Sequence, residues 1–536
     1  MANTAHTEHS TEHSTGHSTG HSWDEECDVL VVGSGGGALT GAYGTAARGL
    51  DTLVVEKTGH FGGTTAYAGA GLWLPGNQAQ ARGGVEDSAE LGRAYFRAVV
   101  GDATEHALQD AYLDHAAATV AFLEDSPHVR FEYRPFPDYF AAPGRFDLGR
   151  AVFPVDLPAP GAPHALVDAV RPPAWAERLG LPAPEGPLTD GRALIARLLL
   201  ALDSTGNGRT RLRTALTRLI TEDGTVVGAE AEHDGRTLRI RARRGVLLAA
   251  GGFEANAELR RAWQRLPGAD WTMGAPGANT GDAISAAAGA GAAVGQLDES
   301  WWCPSLRFPD GSAAFTLGLH GGIFVDGSGR RFANESLPYD RMGRRMLAAK
   351  AGTSHDNPVW WVFDGRFGDE LPGITVVPAD RAAFTEAGLW RTADTLAGLA
   401  EQIGVDAEAL SGTVQTFNGH AEHGVDADFQ RGEDPYDRFF GQGEGTNPCL
   451  VPIEKGPFHA VQIVLGDLGT KGGVRTDADA RVLREDGTAI PGLYAAGNTA
   501  ASVSGPCYPG PGVPIGSAMV FAHLAAAHMA GQRTDG

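Results

Sequence analysis

The sequence predicts an α/β fold in which both ends of the chain build one domain around a parallel sheet and the middle forms an inserted α+β domain. Three observations support this prediction. Apolar runs at 27–32 and 52–56 flank glycines and a small-residue helix reaching about residue 49, which is a βαβ unit within thirty residues. A buried strand ending in glycines follows at 245–252. A further short apolar strand and a final helix, predicted at 513–530, close the same domain.

The composition is that of a folded enzyme and argues against some partners. At 536 residues the chain is long enough for more than one domain. Its net charge of −22, from 65 acidic and 43 basic residues, offers no basic surface, so nucleic acid is not an expected partner. The sequence contains no long uninterrupted apolar run and no signal-peptide pattern. We therefore expect a cytoplasmic protein without a transmembrane segment, with weak membrane contact left open.

Neither a metal site nor a disulfide framework is expected. The four cysteines are scattered and none forms a CxxC pair, which also favours a reducing compartment. Five histidines recur at spacings of three or four within residues 1–22. This His-, Ser- and Thr-rich segment has the composition of a disordered tail, which would hold no fixed ligand geometry.

The glycine turn after the first strand has the spacing and context of a dinucleotide site. Residues 33–38 read Gly-Ser-Gly-Gly-Gly-Ala, directly after an apolar strand and at the start of a helix. The glycines let the backbone approach a pyrophosphate, whose charge meets the positive end of the helix. Glu56 closes the second strand, where a carboxylate accepts hydrogen bonds from ribose hydroxyls.

Three further glycine turns indicate FAD rather than NAD. Residues 62–65 read Gly-Gly-Thr-Thr, residues 251–252 are a glycine pair, and Gly497 is followed by Asn498. Four converging turns suit a long cofactor, and this layout resembles the glutathione-reductase-like flavoproteins with an FAD-binding Rossmann domain. The Pro- and Gly-rich segment 509–516 leads into the final helix, whose positive end would face the flavin.

The predicted organisation places the chemistry between two domains. Residues 23–299 and 467–536 form the FAD-binding domain, and residues 300–466, which are more aromatic and loop-rich, form the inserted catalytic domain. Within the first part, Asp-Gly pairs at 223–224 and 234–235 join alternating strands, so a small antiparallel meander is expected.

A loop between the last nucleotide strand and the final helix offers hydrogen-bond donors beside the flavin. Tyr508 can donate its phenol, and the N–H of Gly512 is free at a helix start, so together they form a candidate oxyanion pair. A packed tyrosine in a Pro-Gly turn is the plainer alternative. Tyr339 and Tyr139 are candidates for a base and its helper, although most such tyrosines are simply packed.

From about residue 23 to 529 the chain resembles the 3-ketosteroid Δ1-dehydrogenases. These enzymes belong to a branch of the flavoproteins that also contains soluble fumarate reductases. The matching segments are 27–43, 61–75, 136–139, 277–283, 334–340, 431–436, 467–473 and 495–519. The family's active-site tyrosine in the FPDY segment falls on Tyr139, and its base in the NES-x-PY segment falls on Tyr339. The ketone-binding pair of the YxGPG segment falls on Tyr508 and Gly512.

The resemblance implies a reaction and a set of cofactor contacts. Tyr508 and the Gly512 amide would polarise the carbon-3 carbonyl, Tyr339 with Tyr139 would take a proton from carbon 2, and flavin N5 would receive the hydride from carbon 1. Besides the steroid, an external electron acceptor, quinone-like or a respiratory chain, is implied. The residues predicted to contact FAD are Gly33, Gly35, Gly36, Gly37, Ala38, Glu56, Lys57, Gly62, Gly63, Thr64, Thr65, Ala250, Gly251, Gly252, Asn279, Asp282, Gly497, Asn498, Pro514 and Ile515.

One residue departs from the family's pattern. Cys507 stands before Tyr508, where an aromatic residue is usual, so we expect an altered pocket shape beside the ketone. A packing role is favoured over a redox role, because no partner cysteine or cation is evident from the sequence.

Three alternatives remain in view. A fumarate-reductase-like enzyme needs arginines to bind a dicarboxylate. Thr470 and Lys471 stand where those enzymes carry a His-Thr-Met context, which argues against a dicarboxylate substrate. A 3-ketosteroid Δ4-(5α)-dehydrogenase would share FAD and the ketone-binding pair but place its base elsewhere. An electron-transfer flavoprotein would need no substrate pocket. Trp301, Trp302 and Phe308 are interpreted as lining such a pocket, which argues against this alternative. These aromatic residues could equally form an inter-domain core.

Overall fold

The computed structural model describes residues 22–159, 164–266, 268–354 and 356–531. The predicted tail of residues 1–22 lies outside these ranges apart from Ser22. Twenty strands occur in the described residues: β1 (Glu25–Val32), β2 (Thr52–Val55), β3 (Leu72–Trp73), β4 (Phe131–Tyr133), β5 (Ala151–Pro154), β6 (Gly208–Arg211), β7 (Thr214–Glu222), β8 (Thr225–His233), β9 (Arg236–Leu248), β10 (Val294–Gly295), β11 (Ser300–Arg307), β12 (Ala313–Leu317), β13 (Ile323–Val325), β14 (Val359–Asp364), β15 (Ile374–Thr375), β16 (Trp390–Ala393), β17 (Phe458–Thr470), β18 (Gly473–Val474), β19 (Arg481–Leu483) and β20 (Ala489–Ala495).

Sixteen α-helices cover the sheets in the same described ranges. They are α1 (Gly36–Ala46), α2 (Gln78–Arg82), α3 (Ala89–Val100), α4 (His106–Asp114), α5 (Ala116–Glu124), α6 (Ala165–Asp168), α7 (Ala174–Arg178), α8 (Asp190–Ser204), α9 (Ala257–Leu259), α10 (Asp282–Gly289), α11 (Tyr339–Ala349), α12 (Arg381–Glu386), α13 (Leu396–Ile403), α14 (Ala407–His423), α15 (Pro435–Phe439) and α16 (Val513–Met529). No helix of the described chain combines the length and apolar character needed to cross a bilayer.

The first sheet joins both ends of the chain, as predicted. Its main order is β19-β20-β9-β1-β2-β6, with β20, β9, β1, β2 and β6 parallel and β19 antiparallel at one edge. Helix α1 lies between this sheet and α16, because Gly41 lets it approach both: a Cβ there would meet the side chains of Leu247 and Ala522. A small-residue helix thus permits close packing of three layers.

The predicted meander is confirmed. Strands β7, β8 and β9 pair in antiparallel order through the two Asp-Gly turns. Both residues of each turn have positive φ, 46° and 77° at Asp223 and Gly224 and 48° and 74° at Asp234 and Gly235. Such two-residue turns match the twist of the strands they join, which explains why this dipeptide predicts the hairpins.

The second sheet is built from residues 300–470 and is antiparallel. Its order is β13-β14-β17-β11-β12-β15, with β16 also paired to β17. One face of the sheet packs on α11 and α12, and the other packs on α13 and α14. The division into segments 23–299, 300–466 and 467–536 stays a prediction; strand β17 runs through residue 466.

The element boundaries differ slightly from those expected. Strand β2 ends one residue before Glu56, α1 ends at Ala46 rather than near 49, and α16 ends at Met529 rather than 530. Residues 194–202, an apolar-rich stretch of the sequence, form the middle of α8, which begins at Asp190. Apolar periodicity reports the buried part of a helix, whereas its ends depend on local caps and turns.

Candidate active site

One cavity of about 570 Å³ lies at the carboxyl ends of the parallel strands. Its lining includes the turns that follow β1, β2, β9 and β20. At its other end it reaches β12, β15 and the first residue of α11 in the second sheet's domain. Ligands in open α/β sheets bind outside the carboxyl ends of the strands, so this is the expected place for a cofactor.

The cofactor half of the cavity brings together the four predicted glycine turns. Nineteen of the twenty residues predicted to contact FAD line it; Gly62 does not. Gly33 has φ 106°, and a Cβ there would collide with the backbone of Ala249. Helix α1 begins at Gly36 and directs its free N–H groups toward the turn. This glycine-lined turn fits a pyrophosphate.

Glu56 is held in place by residues that the sequence did not single out. Its side chain accepts hydrogen bonds from Ser34 Oγ at 2.5 Å and from Thr58 N at 2.8 Å. Gly62 lies behind this contact, where its N–H donates to Ser34 Oγ at 3.0 Å. The carboxylate is buried at the cavity edge, a position suited to ribose hydroxyls.

Two side-chain contacts connect the chain after β2 with residues 279–282 at the start of α10. Asn279 Nδ2 donates to Thr64 Oγ1 at 2.7 Å, and Lys57 Nζ forms an ion pair with Asp282 at 2.8 Å. Lys57 and Asp282 are both partly exposed, so their ion pair orders the two chain segments more than it stabilises the fold. These four predicted residues therefore hold the cavity wall as well as line it.

Three tyrosine hydroxyls form a continuous chain at the other end of the cavity. Tyr139 Oη donates to Tyr339 Oη at 2.8 Å, and Tyr339 Oη donates to Tyr508 Oη at 3.0 Å. Tyr339 and Tyr508 line the cavity, whereas Tyr139 lies behind Tyr339. The backbone N–H of Tyr139 donates to the carbonyl of Pro509 at 3.0 Å, which ties its loop to that of Tyr508.

Burial and hydrogen bonding act in opposite directions on Tyr339. Burial raises the pKa of all three phenols well above the ordinary value for tyrosine. The hydrogen bond from Tyr139 lowers the pKa of Tyr339 because it favours the phenolate. The bond from Tyr339 and the proximity of the Gly512 N–H lower the pKa of Tyr508 in the same way. The order of donors therefore leaves the hydroxyl hydrogen of Tyr508 available to a ligand.

Gly512 is required by its backbone geometry. It precedes α16 with φ 89°, and a Cβ there would collide with the carbonyl of Gly71. Its N–H lies at the amino end of a 17-residue helix, next to Pro514 and Ile515, which also line the cavity. A partial positive charge is thus directed at the space between the cofactor turns and the tyrosines.

The remaining walls near Tyr339 are apolar. Phe315 contacts the Tyr339 ring edge-on with centroids 4.8 Å apart, and Leu317, Ile374 and Val376 continue the wall. Among the described residues that line the cavity, Lys57 is the single cationic side chain, and it lies with the cofactor turns. The tyrosine end therefore accepts an apolar molecule with a hydrogen-bond acceptor.

The interpretation that Trp301, Trp302 and Phe308 line a substrate pocket is wrong, and Cys507 lies outside the cavity. Trp302 and Phe308 pack in the core of the second sheet rather than in the cavity, and Trp301 contacts Tyr508 from behind. Cys507 does not line the cavity either: its Sγ donates to the carbonyl of Val99 at 3.3 Å. Side chains alternate along a strand or loop, so sequence proximity to a site does not decide which face they occupy.

The packing role expected for Cys507 agrees with its surroundings, although a cation does lie nearby. Lys471 Nζ donates to the Cys507 carbonyl at 2.9 Å. Burial nevertheless raises the pKa of the Cys507 thiol, and this effect exceeds the attraction of the lysine. A thiol with a raised pKa is a poor nucleophile, so a packed side chain is the better description.

Sequence reasoning assigned no role to two buried ionisable groups beside the site. Glu254 lines the cavity, and burial, with repulsion from Asp467, raises its pKa to about 7. Lys471 is fully buried behind the Tyr508 loop. The available signal was their place beside the glycine pair 251–252 and in segment 467–473, but burial is not visible in a sequence.

Comparisons with known proteins identify the family. The family described as FAD binding domain matches residues 28–515. A 3-oxosteroid 1-dehydrogenase of Rhodococcus opacus is 44% identical, covering 95% of this chain and 99% of its own. A 4-oxocyclohexanecarboxylate 2-dehydrogenase of Sinomonas cyclohexanicum is 34% identical over 94% and 93%.

A solved structure shares the whole fold. The 3-ketosteroid Δ1-dehydrogenase of Sterolibacterium denitrificans, crystallised with 1,4-androstadiene-3,17-dione, superposes with a TM-score of 0.85. It is 34% identical and covers 95% of this chain and 100% of its own. The glutathione-reductase-like flavoprotein fold and the FAD cofactor expected from the glycine turns are therefore correct, and the chain belongs to the 3-oxosteroid 1-dehydrogenase family of FAD-dependent oxidoreductases.

Proposed function

We propose that this enzyme removes one hydrogen each from carbons 1 and 2 in ring A of a 3-ketosteroid, for example converting 4-androstene-3,17-dione to 1,4-androstadiene-3,17-dione. The observation that carries the proposal is the Tyr139–Tyr339–Tyr508 hydroxyl chain at the end of the cofactor cavity. The names of the relatives and the ligand of the S. denitrificans enzyme support the same reaction.

The ketone oxygen is bound by two donors. The hydroxyl hydrogen of Tyr508 and the N–H of Gly512 both face it, and they favour the enolate because negative charge develops on that oxygen. A 3.0 Å hydrogen bond with Tyr339 keeps the Tyr508 hydroxyl in position beside the Gly512 N–H. This pair makes the hydrogen on carbon 2 acidic.

Tyr339 acts as the base from its phenolate form: its own hydroxyl proton leaves to solvent before the steroid binds, and the phenolate oxygen then takes the proton from carbon 2. Its buried phenol is a weak acid, so the phenolate is scarce at neutral pH but strongly basic when formed. Tyr139 stabilises that phenolate by donating to its oxygen at 2.8 Å. Phe315 and the apolar wall exclude water from the same space. FAD, when bound by the glycine turns, supplies the acceptor for the hydride from carbon 1.

The lining favours a neutral ring system over a carboxylate. A 4-oxocyclohexanecarboxylate or a dicarboxylate needs a cation near the site, and Lys57 among the cofactor turns is the lone cationic lining residue in the described chain. The steroid Δ4-(5α)-dehydrogenase reaction is the alternative that shares the ketone pair. Carbons 2 and 4 both flank the ketone, so a base beside it does not by itself separate the two reactions; the 1-dehydrogenase names of the R. opacus and S. denitrificans relatives favour the 1,2 bond.

Two electrons must leave the protein after each turnover. We propose a quinone-like acceptor or a respiratory chain in a cytoplasmic setting, because the reaction itself supplies no oxidant. The acidic surface expected from the net charge of −22 suits a small neutral acceptor better than an anionic one.

The test is anaerobic mixing of the FAD-loaded protein with 4-androstene-3,17-dione, followed by flavin absorbance and by identification of the product's double bonds. Bleaching with formation of the 1,4-diene is expected. Tyr339→Phe should lower kcat by roughly 10²- to 10⁴-fold, the usual contribution of a general base. Tyr133→Phe is the matched control, since its hydroxyl contacts the Leu148 carbonyl away from the cavity. A flavin that stays oxidised with this steroid but is reduced by 4-oxocyclohexanecarboxylate would overturn the proposal.

A further inference from the structure

Lys471 follows the last residue of β17, and its side chain is fully buried behind the Tyr508 loop. Its Nζ donates to the carbonyl of Pro506 at 3.0 Å and to that of Cys507 at 2.9 Å. These are the two residues immediately before Tyr508. An ammonium has three donors, and two of them are therefore used to hold this loop.

The third side of the ammonium faces the residue after Tyr339. Asp340 Oδ1 lies 3.6 Å from Lys471 Nζ and has no hydrogen-bond donor among the described residues. The other carboxylate oxygen accepts from Arg344 Nε at 3.0 Å. A single buried charge thus contacts the sequence neighbours of both tyrosines whose hydroxyls meet in the cavity.

Aromatic contacts also link Lys471 to the cofactor turns. Lys471 Nζ lies 4.2 Å from the centre of the Trp301 ring, and that ring packs edge-on against Tyr508 with centroids 4.8 Å apart. Trp301 Nε1 donates to Asn498 Oδ1 at 3.1 Å. Asn498 lines the cofactor half of the cavity. Removing the ammonium would release the tyrosine loop and this ring together.

A buried lysine at this position is costly, which argues that its contacts matter. Burial lowers the pKa of Lys471 to about 8, and the nearby Asp340 opposes that shift. A methionine has similar length and would fill the same space without the desolvation cost. Packing alone therefore does not account for a cation here, whereas three directed contacts do.

We propose that Lys471 is a positioning residue: its ammonium fixes the Tyr508 loop against the start of α11 and so sets the distance between the Tyr339 and Tyr508 hydroxyls. Its consequence for turnover rests on the proposed function, in which Tyr508 binds the ketone and Tyr339 removes the proton. The structural role of Lys471, which is to fix the Tyr508 loop, does not depend on the proposed function. Lys471 acts on both tyrosines and touches neither reacting atom.

The first test is a pair of crystal structures of the FAD-loaded Lys471→Met and Lys455→Met variants. Lys455 is exposed, so its replacement is the matched control. We expect Tyr339 Oη and Tyr508 Oη to separate beyond hydrogen-bond distance in Lys471→Met and to stay at 3.0 Å in Lys455→Met. An unchanged distance in Lys471→Met would overturn the inference whether or not the protein turns over steroids.

Kinetics with 4-androstene-3,17-dione provides the second test. A displacement of about 1 Å in a catalytic pair lowers rate by about 100-fold, so we expect that loss in kcat for Lys471→Met with KM changed less than threefold and FAD content unchanged. If the wild-type protein does not desaturate the steroid, the proposed function fails while the crystallographic distance still decides the positioning role. A normal kcat in Lys471→Met alongside an active wild-type protein would contradict the positioning role of Lys471.

Asp340→Asn is a second variant in case Lys471→Met does not fold. It keeps the shape of the side chain and removes the charge facing the ammonium. Asp340→Asn alone should lengthen the distance between the Tyr339 and Tyr508 hydroxyls and lower kcat, because it weakens the contact with Lys471. Where Lys471→Met does fold, the double variant should lose no more activity than Lys471→Met alone, because that contact is already absent. Losses that multiply in the double variant, or an Asp340→Asn variant with unchanged kcat and an unchanged hydroxyl distance, would show that the two residues act separately and overturn the inference.

Discussion

The hydroxyl of Tyr139 donates to that of Tyr339 at 2.8 Å, although 200 residues separate the two in sequence. Tyr139 does not line the cavity, so its contribution passes through Tyr339. A donor at this distance stabilises the phenolate form, which is the form that accepts a proton. In the proposed reaction the pair would therefore divide the work of a base between a residue that faces the substrate and one that supports it.

Replacing Tyr139 with Phe should slow proton removal without abolishing binding. A hydrogen bond to a charged group contributes about 2 kcal/mol, which corresponds to about 30-fold in kcat. Steady-state kinetics with a 3-ketosteroid would measure the change. The loss should be smaller than that of Tyr339→Phe, because the base itself remains. An equal or larger loss would indicate that Tyr139 contacts the reacting atoms directly.

Gly512→Ala should disrupt the ketone site more than conformational strain alone can explain. A Cβ at this position collides with the carbonyl of Gly71, so the start of α16 must move. Gly404→Ala is the matched control, since Gly404 also has positive φ, 73°, but open space around it. We expect at least about a 100-fold lower kcat/KM for Gly512→Ala and a nearly unchanged value for Gly404→Ala. Similar kinetics for the two variants would mean that the collision is relieved without moving the donor.

A buried ion pair should hold the Tyr139 segment. Asp138 and Arg150 are both fully buried and lie 3.2 Å apart, and Asp138 also accepts from Trp73 Nε1 at 2.8 Å. Asp138→Asn should lower the free energy of unfolding by about 3 kcal/mol, because it leaves a buried guanidinium without one of its carboxylate partners. Denaturant unfolding of the FAD-loaded protein would measure this.

The control for that variant is Asp147→Asn. Asp147 is 67% exposed and pairs with Arg145 at 3.3 Å, so its loss should cost under about 1 kcal/mol. If Asp138→Asn were no more harmful than this control, the buried pair would not contribute to stability.

His523 should make the protein sensitive to acid. Burial, with Arg48 and His115 nearby, lowers the pKa of His523 from 6.5 to about 4. Between these values the unfolded chain binds the proton more readily than the folded one, so stability is present above pH 6.5 and is lost as pH falls toward 4. The full shift corresponds to about 3 kcal/mol.

The variant His523→Phe isolates that contribution. The histidine ring packs on Phe122 with centroids 4.7 Å apart, so a phenylalanine keeps the contact without a titrating group. We expect the wild-type protein to lose more unfolding free energy than His523→Phe as pH falls from 6.5 to 4. A constant difference across this range would show that the histidine does not titrate there. His459, with its pKa also lowered to about 4, affects both proteins alike.

Much of the cofactor domain could be predicted because its signals are local. The strand, glycine turn and helix at 27–46 follow one another in the chain, and the two Asp-Gly turns specify hairpins by their own backbone preferences. Tyr139 and Tyr339 came from resemblance, since the sequence alone left each as a packed aromatic, whereas Tyr508 was already a candidate from its place before the final helix. Their convergence was expected from the family pattern and is present in the cavity.

The α/β class and each of the four glycine turns could be predicted from the sequence, because each signal lies within a short stretch of chain, and the FAD cofactor was predicted from the four turns taken together. The folded chain was needed to show that Trp302 lies in a core, that Cys507 faces away from the cavity, and that Lys471 is buried between the two tyrosine segments. These outcomes depend on how two sheets hundreds of residues apart in sequence pack together. Side-chain direction and burial follow from that packing, which no local pattern encodes.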